Sequence, residues 1–199
     1  MGRLSTAVGR LPTLQREDVV LRPLRRTDEA EWLQLRAANR AWLRPWEATS
    51  PVARPNESIS FAAYVRHERA LVRARRSFPM AIVGVDGIIG RVSVTGVEWG
   101  AECGGSIGYW IDEGWAGRGI VPTAVALLSD YVFRQGLHRV EIAVRPENTA
   151  SARVAQKLGF RDEGMRRRYL FIDGDWRDHQ VFALTADEPR IGPYWDAGS

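Results

Sequence analysis

The chain contains one cysteine, three histidines and no long apolar run. A lone cysteine, Cys103, excludes an intrachain disulfide and a cysteine-based zinc cluster, and it fits a reducing cytoplasm. His67, His138 and His179 lie far apart and show no metal-ligand spacing, so no metal site is expected. No apolar stretch approaches the roughly 20 residues that a membrane helix needs. The opening Met1-Gly2-Arg3-Leu4-Ser5 lacks the apolar core of a secretory signal, so the expected location is cytoplasmic. There is no internal repeat and no linker that would split the chain.

With 199 residues, 45% hydrophobic and 26% charged, the chain reads as one domain with a sizeable core. We expect an N-terminal arm over 1–17, a single domain over 18–185 and an irregular tail over 186–199. The net charge is +4 and the sequence pI about 9.7. That balance permits an acidic partner, such as a polyphosphate cofactor or nearby ribosomal RNA, without requiring one. The excess is almost all arginine, concentrated in Arg66–Arg76 and Arg166–Arg168. No nucleic-acid motif accompanies these runs, which read as solvated faces.

The chain is organised around Gly114-Trp115-Ala116-Gly117-Arg118-Gly119-Ile120-Val121-Pro122-Thr123. An apolar strand pattern precedes it and an apolar helical pattern follows. Its glycines keep side chains away, so backbone N–H groups can converge. The following helix adds unpaired N–H groups and the positive end of its dipole. Together these make an anion site suited to a phosphate or pyrophosphate, with Arg118 as an adjacent cation. Gly119-Ile120-Val121 lacks the Gly-Lys-Ser/Thr of a Walker A loop. The glycines also lack the one-then-two spacing of a dinucleotide fingerprint.

Around this stretch the pattern predicts a strand at Val19–Leu24, a helix opened by Thr27-Asp28-Glu29, and a helix over Glu57–Arg75. Pro51–Asn56 reads as a loop. Strands at Ser77–Val85 and Ile88–Val97 flank the Asp86-Gly87 turn. Further strands are expected at Ser106–Ile111 and Leu137–Val144, helices at Ile120–Phe133 and Ala150–Leu158, and a closing hairpin from Gly159 to Leu184 through Asp173-Gly174. The order β-α-α-β-β-β-α-β-α-β-β describes an α/β, mixed α+β domain. Its sheet should be central, twisted and mostly antiparallel, with helices on both faces. Trp42 and Trp46 flank Pro45 in a short connection and read as packed inward.

Ala116-Gly117-Arg118-Gly119-Ile120-Val121 resembles the coenzyme A pyrophosphate loop of the GNAT superfamily of N-acetyltransferases. That loop runs Gln/Arg-x-x-Gly-x-Gly/Ala, so the central glycine matches while Ala116 and Val121 depart. Arg145-Pro146-Glu147-Asn148-Thr149-Ala150-Ser151, continuing to Lys157-Leu158-Gly159-Phe160, is more specific. It resembles the Asn-x-x-Ser-x-x-x-x-x-Lys-x-Gly-Phe motif of GNAT enzymes near the RimJ and RimL ribosomal-protein acetyltransferases. Asp162–Tyr169 and Asp173–His179 resemble that subgroup's closing hairpin. Leu21-Arg22-Pro23-Leu24 and Leu43-Arg44-Pro45-Trp46-Glu47 resemble its opening. The likeness covers about residues 18–185 and implies the GNAT fold.

The resemblance implies that acetyl-coenzyme A lies between the Ser106–Ile111 and Leu137–Val144 strands. Its pantetheine would pair with the backbone of Tyr109, Trp110 and Ile111. Its pyrophosphate would take N–H groups of Gly117, Arg118, Gly119, Ile120 and Val121. Asn148 would hold the pantetheine, with Arg118, Arg153 and Lys157 toward the phosphates. Ser151 would serve the departing thiolate, with Tyr169 as substitute. A backbone N–H of the Tyr109–Ile111 strand suits the developing oxyanion. For the general base, Glu102 stands first because it precedes that strand; Glu47, Asp178 and His179 are alternatives. A free α-amine, with a pKa near 8, is partly neutral already, so a weak base suffices. The expected reaction acetylates a protein N-terminal amine, most naturally an alanine of a ribosomal protein. The alternatives are a small amine, such as an antibiotic or polyamine, and a non-catalytic acyl-coenzyme A sensor. Arg44, Arg166, Arg167 and Arg168 disfavour a cationic small amine. A monomer or homodimer is expected.

Overall fold

The computed structural model describes residues 10–52, 59–190 and 192–195. The Asp86-Gly87 turn is realised as expected: β3 (Phe78–Gly84) and β4 (Gly87–Glu98) pair antiparallel from Phe78–Val94 to Gly84–Gly87. On one side β2 (Val19–Arg22) pairs with β3, and β1 (Leu14–Arg16) pairs with β2. On the other side β5 (Gly104–Ile111) pairs with β4. Next come β6 (Arg139–Val144), β8 (Asp175–Thr185) and β7 (Arg161–Ile172). The sheet order is β1-β2-β3-β4-β5-β6-β8-β7. Only β5 and β6 are parallel; the other neighbours run antiparallel.

Side-chain alternation along the strands divides the core in two. Ile82 and Ile89 join a cluster with α4 (Ile120–Arg134) and α5 (Thr149–Lys157), while Ala81 and Ile88 join a smaller one. The smaller cluster is covered by Trp32 of α1 (Glu29–Ala38) and by Phe61 and Val65 of α3 (Phe61–Arg73). Neighbouring residues of a strand face opposite ways, so helices cover both faces. Between α1 and α3 lies the four-residue α2 (Arg40–Leu43).

Three boundaries differ from the sequence reading. Thr27 does not cap α1; it sits in a 3-10 turn over Arg26–Asp28. Asp28, which is buried, accepts the Arg25 N–H and two bonds from Arg22. Helix α3 is capped by Ser60, whose hydroxyl accepts from the Ala63 N–H. The Pro51–Asn56 loop and the start expected at Glu57 fall largely outside the described residues. Finally, the arm and tail are not wholly loose. Leu14–Arg16 extend the sheet, and Trp195 is buried in the larger cluster. Helix α4 is therefore buried from Pro122 to Val132, sheet beneath and tail above. An all-round apolar helix such as this one requires that enclosure. Among the described residues no helix is long and apolar enough to cross a membrane.

Candidate active site

Strands β5 and β6 pair only at their beginnings, Gly104–Ser106 against Arg139–Glu141. Beyond Ser106, β5 stays on β4 through Ile111, while β6 stays on β8 through Val144. The sheet thus splits into a V, and each strand has one edge without a strand partner over those residues, the Ile111 carbonyl alone being taken by the Trp42 indole. Unpaired backbone edges demand a partner. A cleft of about 650 Å³ occupies the split.

At the mouth of the V the chain leaves β5 through a 3-10 turn at Glu113–Trp115 and enters α4. Gly117 and Gly119 both take left-handed backbone angles, φ 78° and 79°. Any other residue there pays roughly 1–2 kcal/mol. Gly119 opens α4, and its carbonyl accepts the N–H and hydroxyl of Thr123. The N–H groups of Ile120 and Val121 belong to the helix's unpaired first turn. The Arg118 guanidinium stacks on Trp115 and donates to the Gly114 carbonyl, stiffening the loop.

Deeper in the split, the Tyr109 hydroxyl lies 2.8 Å from Ser151 Oγ. Burial raises the Tyr109 pKa, outweighing the lowering by the Ser151 hydrogen bond, so the phenol stays protonated. Ser151 is held in turn by the cap of α5: Asn148 Oδ1 accepts the Ser151 N–H at 3.0 Å. Asn148, Ser151 and Tyr109 all line the cleft.

His179 of β8 also lines it and is 2% exposed. Its Nδ1 lies 2.9 Å from the Arg177 carbonyl. A carbonyl only accepts, so Nδ1 carries the proton and Nε2 keeps its lone pair. Nε2 has no hydrogen-bond partner among the described residues, yet it is not one of the fully buried unpaired atoms. It therefore opens to the cleft. Burial first, with Arg145 assisting, holds the His179 pKa below its ordinary value. Tyr169 packs edge-on against the ring at 5.9 Å.

The outer wall comes from α1, α2 and the loop that follows. Arg36 makes two bonds to Glu47 (2.5 and 2.7 Å) and stacks on Trp110. Arg145 donates to the Pro45 carbonyl and covers Trp46. Thr49 N–H donates to Phe171, and Arg44 pairs with Asp173, tying this loop to the β7–β8 hairpin. A separate cavity of about 450 Å³ between β2 and α3 is lined by Arg10, Arg69 and Arg73, with Arg22 and Glu68, which pair with Asp28 and Arg91. Among the described residues no group of His, Cys, Asp and Glu is arranged to hold a metal.

The structure brings Tyr109, Trp110, Asn148 and Ser151 together in the cleft, with Ile111 at the strand's end and Gly117–Val121 at the mouth. Arg153 and Lys157 are exposed on α5. Glu102 requires correction: it lies in the exposed turn before β5, at the paired end of the strands, and does not line the cleft. Precedence in sequence gave the right strand but the wrong end. Asp178 accepts the Arg168 N–H and does not line the cleft. Arg166 is held by Glu141 at 2.6 and 2.8 Å, so it is not a free acceptor-side charge. Trp46 lines the cleft, and Trp42 is 37% exposed with its indole donating to the Ile111 carbonyl; neither is simply core. Tyr109 was expected to act through its backbone and Glu47 as an alternative base; the tyrosine's hydroxyl contact and the Arg36–Glu47 pairing were not singled out from sequence, and only an alternating-face reading of β5 would have pointed to the hydroxyl.

A sheet split between parallel strands, with a left-handed glycine turn opening a helix at its end and a hydroxyl pair inside, suits an enzyme that holds an extended acyl donor. The model of the acetyltransferase (GNAT) domain matches residues 18–161, and the chain belongs to that family. The probable N-acetyltransferase YjcK of Bacillus subtilis is 34% identical over 175 residues, covering 86% of this chain and 96% of the relative. The ribosomal protein uS5 alanine N-acetyltransferase of Escherichia coli is 31% identical, with 81% of each covered. Among solved structures, Mycobacterium smegmatis RimJ in complex with coenzyme A disulfide has a TM-score of 0.79 at 37% identity. That match covers 88% of this chain and 87% of the other. The protein is an N-acetyltransferase.

Proposed function

We propose that the protein moves the acetyl group of acetyl-coenzyme A to the N-terminal α-amine of a protein, with an alanine-starting ribosomal protein as acceptor. The observation that carries this choice is the charge of the cleft. Among the described residues its one lining carboxylate, Glu47, is already bonded to Arg36, and the other lining arginines, Arg91 and Arg145, are paired with Glu68 and Glu147 outside the lining. A polyamine or aminoglycoside would bring several positive charges to a wall with no free carboxylate. A peptide brings one amine that is partly neutral near pH 8. The likeness to the uS5 alanine acetyltransferase supports the ribosomal acceptor.

The residues present fit acetyl-coenzyme A. The edge of β5 from Ile107 onward, open except for the Ile111 carbonyl held by Trp42, suits the amides of the pantetheine, and the first turn of α4 suits a pyrophosphate. The cofactor supplies a thioester as acetyl donor. In this reading His179 Nε2, directly or through water, accepts the proton of the incoming amine. A β5 backbone N–H at Tyr109–Ile111 faces the oxygen that gains charge. Ser151 Oγ donates to the departing sulfur; either hydroxyl of the Tyr109–Ser151 contact can donate to the other, and with Tyr109 as donor the serine's own hydrogen is free for that role. Mapping the product on alanine-, serine- and lysine-bearing peptides by fragmentation mass spectrometry tests the proposal. Acetate on the α-amine of the alanine peptide is expected, and acetate on lysine alone contradicts it.

A further inference from the structure

The segment after β8 is built, not trailing. Arg190 packs its guanidinium over Phe133 of α4 and pairs with buried Asp130 at 3.5 Å. Arg16 of β1 donates to the carbonyls of Pro193 and Trp195 at 2.9 and 2.8 Å. Gly192, at φ 103°, passes the last residue of α5 so closely that a Cβ would lie 3.2 Å from the Lys157 carbonyl. The chain therefore crosses from the end of α5 to the start of α4. There Tyr194 lies against Gly119: its ring and its hydroxyl are 3.6 and 3.7 Å from where a Cβ on that glycine would be. Gly119 is the left-handed residue that opens the anion cradle. The Tyr194 hydroxyl makes no hydrogen bond to the described residues, and the side chain is only partly buried.

We propose that this C-terminal strap is part of the cofactor site, with Tyr194 contacting the nucleotide half of coenzyme A. The inference rests on the reading that Gly117–Val121 hold the pyrophosphate. A phenol beside a phosphate cradle offers an O–H to a phosphate oxygen and an apolar face to a purine ring. Both of those groups belong to the nucleotide end and are absent from pantetheine. The strap's other contacts hold this phenol in place, since Arg190, Arg16 and Gly192 fix the backbone on either side of it.

The test compares two donors, acetyl-coenzyme A and S-acetylpantetheine, which carries the same thioester without the nucleotide. The wild-type enzyme should favour acetyl-coenzyme A strongly in kcat/KM, and by calorimetry it should bind coenzyme A more tightly than pantetheine, a gap that Tyr194→Ala narrows about tenfold and whose persistence at full size would overturn the proposal. Tyr194→Ala should cut that preference about tenfold, almost wholly through acetyl-coenzyme A. Tyr194→Phe keeps the packing on Gly119 and loses only the hydroxyl; it should cut the preference about threefold. An unchanged preference in both variants overturns the strap's role and leaves the cradle reading standing. An equal loss with both donors also overturns it, since that marks a general packing defect. A wild type with no preference between donors overturns the cradle reading itself.

Discussion

Ser151 and His179 carry the chemistry of this account and were legible to different degrees. Ser151 stands out in sequence because the Asn148-to-Phe160 string fixes a strand, a cap and a helix together. His179 does not, because its meaning depends on a carbonyl two residues back and on a cleft formed by distant strands. Ser151→Ala should lower kcat at least tenfold and leave acetyl-coenzyme A affinity within a factor of two, measured by steady-state kinetics and calorimetry. His179→Gln should lower kcat/KM about a hundredfold, within the ordinary range for one acid–base group. In the wild type, activity should rise with pH through a pKa below 6.5 and rise again as the acceptor amine loses its proton; the glutamine variant should lose the first limb. The same group affects stability. Its native pKa is lowered, so its contribution is intact above about pH 6.5, the unfolded value, and declines as pH falls through the native pKa.

At the scale of elements, glycine-bearing turns and periodic helices were readable, and short or tertiary-dependent pieces were not. Asp86-Gly87 announces the β3–β4 hairpin because that dipeptide suits the turn. Three residues of β1 carry no detectable period and become a strand only by pairing with Val19–Leu21. The strap has no periodicity either; it is ordered by Arg190, Trp195 and Arg16 acting across the fold. Gly119→Ala should raise the KM for acetyl-coenzyme A severalfold and cost about 1 kcal/mol in chemical denaturation, from the left-handed backbone, since a Cβ there meets Tyr194 at ordinary contact distance. Arg190→Ala should lower stability by about 1–2 kcal/mol, because it removes the ion pair with Asp130 and the packing of the guanidinium over Phe133 and Trp195.

For the whole molecule, the layer order followed from the alternation of strand and helix patterns, whereas the location of the cleft between β5 and β6 came from the family resemblance and from no pattern in the chain. The split arises because two parallel strands pair for three residues and then follow different neighbours, a property of the sheet that no single segment displays. The arginine runs read as solvated faces are largely that: Arg66, Arg69, Arg73, Arg75, Arg76, Arg167 and Arg168 are exposed, while Arg166 is committed to Glu141. The choice of acceptor rests instead on Glu47, the one carboxylate among the described residues lining the cleft, being bonded to Arg36. The most direct test is the kcat/KM for release of coenzyme A thiol with an alanine-starting peptide, set against spermidine and an aminoglycoside at equal concentration. The peptide should exceed both small amines by at least a hundredfold. Turnover that is faster with spermidine or the aminoglycoside would contradict the account.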